Sequence, residues 1–225
     1  MSKTQENTTA HTNTDSLAQA SKFARENQKS LTFIGSAIVA MILVYVLYQK
    51  LYLAPREEKA ADQMYVAQQF WASKDWDKAI KGDAGYPGFE KIVSEYSNTK
   101  AANLASFYLG VAYLNKGEYR KAIENLNNYH GEDVMVAAEA LGDAGDAYVE
   151  LKDYSNAASY FKKASDKANN SFLSPLYLKK LGLVYEAQND NKSAAEAYKN
   201  IKTDYPNSNE AQSIDEYIAR VEAKL

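Results

Sequence analysis

Cysteine is absent from this chain of 225 residues, and histidine occurs only twice. Without cysteine there is no disulfide framework, no thiolate metal site and no cysteine nucleophile. The histidines, His11 in a polar tail and His130 at the end of a repeated unit, stand alone and read as solvated loop residues. A glycine-rich phosphate loop, a His-Glu-x-x-His pair, a Ser-x-x-Lys pair and a nucleophile elbow are also missing. Acidic pairs such as Glu57-Glu58 and Glu132-Asp133 fall on exposed helix starts or turns, where they complement a helix dipole. The expectation is therefore a chain that is not an enzyme, with no cofactor, no metal and no small-molecule substrate. Tyrosine, by contrast, occurs eighteen times. Most tyrosines fall at repeat landmarks, which assigns them to core packing rather than to a cofactor or to base stacking.

The stretch "LNKGEYRKAIENL" (114–126) shows the repeat best. Its frame returns in "LKDYSNAASYF" (151–161) and in "QNDNKSAAEAY" (188–198). Upstream, Gly110, Gly145 and Gly182 each stand three residues before a tyrosine (Tyr113, Tyr148, Tyr185) and twelve before an alanine (Ala122, Ala157, Ala194). The glycines are 35 and 37 residues apart. A period near 34 residues with two amphipathic helices per unit marks a helical solenoid. Two helices of a hairpin pack closely only where a side chain is small, so glycine and alanine mark the crossing while Tyr113, Leu126, Phe161 and Tyr198 fill the seam. Pro206, in "TDYPNS", stops the last repeat helix. From about Asn103 to Asn207 the chain resembles the tetratricopeptide family.

A degenerate unit precedes these three, because "SEYSNTKAAN" (94–103) looks like "TDYPNSNEAQ" (203–212). Its first helix is expected at roughly 56–73 and its second at 87–96. A second register competes, since "DWDKAI" (75–80) mimics "EYRKAI" (118–123). The loop 81–88, rich in glycine and proline, reads as an insertion. The amphipathic segment 210–225 is expected to cap the open end of the solenoid.

Residues 1–30 are polar and are expected to be mostly disordered until the last ten or so. Then comes "LTFIGSAIVAMILVYVLY", 31–48, without a single charge. Eighteen residues at about 1.5 Å each span roughly 27 Å, close to the hydrocarbon thickness of a bilayer. A core helix would show a polar face, and a cleaved signal peptide a shorter apolar region and a better cleavage site than "QKLYLAPREE". An uncleaved anchor is expected, with Tyr45, Tyr48 and Tyr52 in the interfacial belt. Lys22, Arg25 and Lys29 before the span balance Lys50, Arg56 and Lys59 after it, so the charge rule leaves orientation open. The short polar tail weakly favours a cytoplasmic N-terminus. Residues 1–53 carry five basic and three acidic side chains, a net +2 within the chain's −3, which leaves −5 on the remainder. An acidic solenoid repels phosphate backbones, so nucleic acid is not an expected partner.

The organisation expected is all-α. A polar tail with a juxtamembrane helix (1–30) leads to a transmembrane helix (31–53), then a degenerate first repeat with an insertion (56–101). Three tetratricopeptide repeats and a capping helix (102–225) complete it. The run "KFARENQKSLTFIGSAIVAMILVYVLYQK", with Phe23, Glu26, Asn27 and Lys29 ahead of a glycine-bearing span, is similar to the start of the ancillary subunit of the bacterial Sec translocon. That family has a Phe-x-x-Glu-Asn-x-Lys approach to one span and a downstream tetratricopeptide domain. The resemblance implies a single-pass inner-membrane protein with a cytoplasmic N-terminus and a periplasmic repeat domain. It would bind proteins, namely translocon components, a membrane-anchored prolyl isomerase or unfolded client chains, with the lipid bilayer contacting 31–53. The polar tail 1–16 and the 81–88 insertion depart from that family. The alternative is an envelope scaffold organising cell-division or cell-wall machinery.

Resemblance to the tetratricopeptide family also implies where a partner sits: on the concave face, lined by the first helix of each hairpin. With Gly145 as position 8 of its unit, the family's groove positions fall on Glu139, Gly142, Asp146, Val149 and Glu150. Asp143 lies alongside, and Glu139, Asp143, Asp146 and Glu150 form one acidic stripe at helical spacing. The preceding unit offers Leu104, Phe107, Val111, Leu114 and Asn115. The following one offers Leu176, Lys179, Leu183, Glu186 and Ala187, with Lys180 beside them. Such a groove suits an extended basic and apolar segment. The competing reading is that Lys179 and Lys180 simply neutralise the stripe across neighbouring helices.

Overall fold

The computed structural model describes Gln19 and residues 21–225. The polar tail 1–16, on which most of the expected disorder falls, and His11 within it lie outside the described residues. The chain divides into two compact units, one ending at Ala54 and one running Pro55–Leu225.

In the first unit, helix α1 (Gln28–Leu47) is followed by a π-helical stretch, Tyr48–Leu53. None of the residues of α1 is buried within the chain. Two of its polar side chains are satisfied locally: the Thr32 hydroxyl donates to the Gln28 carbonyl at 2.8 Å and that of Ser36 to the Phe33 carbonyl at 2.8 Å. Closing hydrogen bonds inside the segment is what a hydrocarbon setting demands of a helix. Among the described residues, the run starting at Gln28 is long and apolar enough to cross a membrane, by length and composition.

The second unit is a series of helical hairpins. Its helices are α2 (Ala54–Ala72), α3 (Trp76–Lys81), α4 (Phe89–Glu95), α5 (Lys100–Asn115) and α6 (Tyr119–Asn127). Then follow α7 (Val134–Glu150), α8 (Tyr154–Ala168), α9 (Leu173–Ala187), α10 (Asn191–Asp204) and α11 (Ile214–Glu222). Each hairpin turns on one residue with positive φ: Lys74, Gly117, Lys152 and Asn189. An acidic residue follows each of them. Asp75, Asp153 and Asp190 cap the next helix by accepting from a backbone N–H three residues on, at 3.0–3.3 Å. Seven residues before the turn stands the small residue of the crossing. A Cβ on Gly145 would lie 2.7 Å from the Phe161 ring, and one on Gly110 would lie 2.5 Å from Leu126.

That frame decides between the two registers of the first repeat. Ala67 stands seven residues before Lys74 and Ala79 five after it, and both are fully buried. The hairpin is therefore α2–α3, with its turn at Lys74–Asp75, and the second helix starts at Trp76, not at residue 87. The expectation of a single second helix over 87–96 is corrected: that helix is split, and α4 resumes it after the loop. Gly82 breaks it with φ 81°, and Gly88 lies so close under the Ile80 carbonyl that a Cβ there would sit 2.3 Å from it. Asp83 holds the loop by accepting from Gly85 N (3.1 Å) and Tyr86 N (3.2 Å).

Hydrophobic packing runs along the solenoid from neighbour to neighbour. Phe89, Ile92, Leu109 and Leu126 anchor the first stretch, Phe161, Leu173 and Leu181 the second, and Tyr198, Ile201, Ile214 and Val221 the last. Helix α11 closes that end by laying Ile214 and Val221 on α10.

Candidate binding groove

The groove positions named from the sequence fall on α5, α7 and α9, the first helices of successive hairpins, which pack against one another. On α5, Leu104, Val111 and Leu114 are half-buried against the core, and Asn115 is exposed with its side chain donating to the Val111 carbonyl at 2.8 Å. Phe107 is more buried than these. It is only 9% exposed, its ring 5.8 Å from that of Tyr108 and 5.9 Å from that of Tyr129. Aromatic neighbours on both sides draw it into the core, so little of its ring is left to meet a partner.

The middle of the groove is the acidic stripe. Glu139, Asp143 and Asp146 are half-buried, whereas Glu150 is exposed and accepts a hydrogen bond from the Tyr119 hydroxyl at 3.2 Å. Asp146 forms an ion pair with Lys180 of α9 at 2.6 Å. Burial, reinforced by the charges of Asp146 and Glu139 and opposed by Lys180, pushes the Asp143 carboxyl up to about 7. Beside it, Tyr177 of α9 is 4% exposed and lies on the backbone of Gly142, where a Cβ would come within 2.2 Å of its ring. Burial first, then the charges of Asp143 and Glu139, raise the Tyr177 hydroxyl above the usual tyrosine value.

On α9 the two lysines part company. Lys180 does neutralise Asp146, but Lys179 sits 4.6 Å over the Tyr217 ring of α11 and takes no part in the stripe. Leu183 is exposed, Leu176 half-buried and Ala187 exposed. Glu186 turns toward the cap: it accepts from the Tyr198 hydroxyl (2.7 Å) and from Arg220 (2.5 and 3.1 Å). Burial would raise its carboxyl, but the hydrogen bonds of Arg220 and Tyr198 outweigh it and hold the group below its ordinary value. The structure thus brings Glu139, Asp143 and Asp146 together with Lys180, and ties Glu186 to the capping helix instead.

Two features escaped the sequence. Tyr177 looked like one tyrosine among many, and only the glycine at 142 hinted that a ring would need room there. Toward the other end, a pocket lined by Ala61, Met64, Gln68 and Leu104 extends the groove onto α2. Counting back from the turn at Lys74 would have found these positions, had the register of the first repeat been fixed.

The tetratricopeptide repeat family matches residues 107–172 and 143–209. No curated protein matches the chain. Among solved structures, the MamA protein superposes with a TM-score of 0.55 at 21% identity, over 74% of this chain and 92% of its own. A second MamA structure gives 0.52 at 22% identity, over 71% and 95%. The nearly identical TPR-like repeats of a Podosopora anserina protein titled a kinesin light chain give 0.54 at 13% identity, over 74% and 86%. At these identities the likeness concerns the fold. Repeat matches over residues 107–209, the hairpin frame and the superposition agree on a helical solenoid of tetratricopeptide type, a fold that serves in protein–protein interaction.

Proposed function

We propose that this chain is a membrane-tethered binding module that receives extended protein segments as they leave the Sec translocon. Residues 31–53 would hold it in the bilayer, the N-terminus would be cytoplasmic, and the groove on α5, α7 and α9 would take the client. A membrane-anchored prolyl isomerase and translocon components are its expected neighbours, and no catalytic step is assigned to it. The observation that carries the reading is the groove: half-buried carboxyls of α7 between the apolar side chains of α5 and the exposed Leu183 of α9. Support for the tether comes from the uncharged run 31–48, in which no residue of α1 is buried.

The test is co-purification of the full chain from a mild detergent, paired with protease treatment of intact spheroplasts. Recovery of translocon components, with the repeats digested from outside, is the expected result. Recovery of division or cell-wall proteins instead, or repeats that survive the protease, overturns it.

A further inference from the structure

Resting on the binding-groove reading, we infer that Glu139, Asp143 and Tyr177 form a seat for one arginine side chain of a bound, extended peptide segment. Three acidic side chains along a helix face are ordinary on a solvated surface. Here they are half-buried, and one of the three, Asp146, already has its counter-ion in Lys180 at 2.6 Å. Glu139 and Asp143 make no ion pair among the described residues. The second observation is independent of charge. Tyr177 is 4% exposed, yet its hydroxyl has no hydrogen-bond partner among the described residues. It stands directly over the Gly142 backbone, where a Cβ would meet the oxygen at 2.7 Å, one residue from Asp143. The hydroxyl keeps a little access to solvent, so a guest can reach it and take up hydrogen-bonding capacity that the chain leaves unused.

The guest must donate several hydrogen bonds and carry positive charge. No group of His, Cys, Asp and Glu among the described residues converges as a metal site, which turns attention to an organic cation. A guanidinium fits best. It is planar and weakly hydrated, and its five N–H donors can serve a carboxylate pair and a phenolic oxygen at once. An ammonium is compact and strongly hydrated, so it would lose more on entering a half-buried site. The flanking surface suits the rest of such a segment, with Val111 and Leu114 on one side and Leu183 on the other.

The charged and titratable groups facing Asp143 are Glu139 and Asp146 on its own helix, and Tyr177 and Lys180 on α9. Of these only Lys180 is cationic, and Asp146 holds it. A guest arginine therefore binds the ionised form of Asp143, and its affinity rises between pH 6 and pH 8.

The experiment measures fluorescence anisotropy with the full chain in a non-ionic detergent. The probes are a labelled heptapeptide, Ala-Leu-Ala-Arg-Ala-Leu-Ala, and its twin with citrulline for arginine, an uncharged side chain of the same shape. Expected at pH 8 is arginine binding at least about ten-fold tighter than citrulline binding, consistent with one charged hydrogen-bonded contact. Asp143→Asn should erase that difference and Tyr177→Phe should reduce it, while Asp166→Asn, which alters a carboxylate paired with Lys162 on α8, should leave it intact. Equal affinity for the two peptides, or a difference that survives Asp143→Asn, overturns the seat. Capture of a reduced, carboxymethylated unfolded protein in the same assay separates the two readings. If it binds while the seat fails, the groove stands and the arginine site falls.

Discussion

At the scale of single residues, Asp143 is a side chain whose setting works against its chemistry. In the native state its carboxyl is pushed up to about 7, chiefly by burial, against a value near 4 when unfolded. Between those limits the folded chain binds more protons than the unfolded one, so this group's contribution falls as pH rises from about 4 to 7. Asp143→Asn should therefore leave stability nearly unchanged at pH 4.5 and raise it by roughly 1–3 kcal/mol at pH 8. Thermal melts of the full chain and the variant at the two pH values check this. Equal melting shifts at both would remove burial as the cause. The spacing of Asp143 with Glu139 and Asp146 was legible in the sequence as a stripe. The burial was not, because it depends on a tyrosine from the next hairpin.

Between residues and the whole solenoid stand the helices, and here one carboxylate does what a loop residue usually does. Glu57 of α2 reaches across to the start of α5, accepting from Lys100 N at 2.6 Å and Ala101 N at 2.9 Å, while Thr99 caps Ala102 N at 3.0 Å. Three orphan N–H groups of one helix are satisfied in this way. From the sequence, Glu57 was expected to serve the start of its own helix, and the structure assigns it to a neighbour's. Glu57→Ala should cost about 0.5–2 kcal/mol, the range of a lost N-cap. Glu58→Ala, at an exposed position without that contact, should cost less than about 0.5 kcal/mol. Chemical denaturation of both variants makes the comparison. The hairpins from α5 to α10 were legible because glycine, tyrosine and alanine keep step there. The first hairpin was not, because the insertion at Gly82–Gly88 displaces everything after Ile80 and leaves two registers equally plausible on paper. The burial of Phe107 was hidden for a related reason: position within a repeat does not report which aromatic neighbours, here Tyr108 and Tyr129, will claim a ring.

Across the whole molecule, each hairpin of the second unit packs on the one before and the one after, and α11 packs on the last. Such a chain is close to one-dimensional in its energetics, with stability summed from local and neighbour terms. The feature has a mechanical side. A body tied together only between neighbours resists pulling at its ends in series, like links, and not in parallel, like a bundle. Stretched from the α2 end to the α11 end, it should yield in instalments. Each released hairpin of about 35 residues would add roughly 110 Å of contour length at about 3.3 Å per residue. Because the chain has no cysteine, Lys59→Cys and Leu225→Cys would give two unique handles for optical tweezers. More than one step of that size is the expected trace, and a single event releasing everything at once would contradict it. Load on such a solenoid would then be met by lengthening, hairpin by hairpin, before the whole fold is lost.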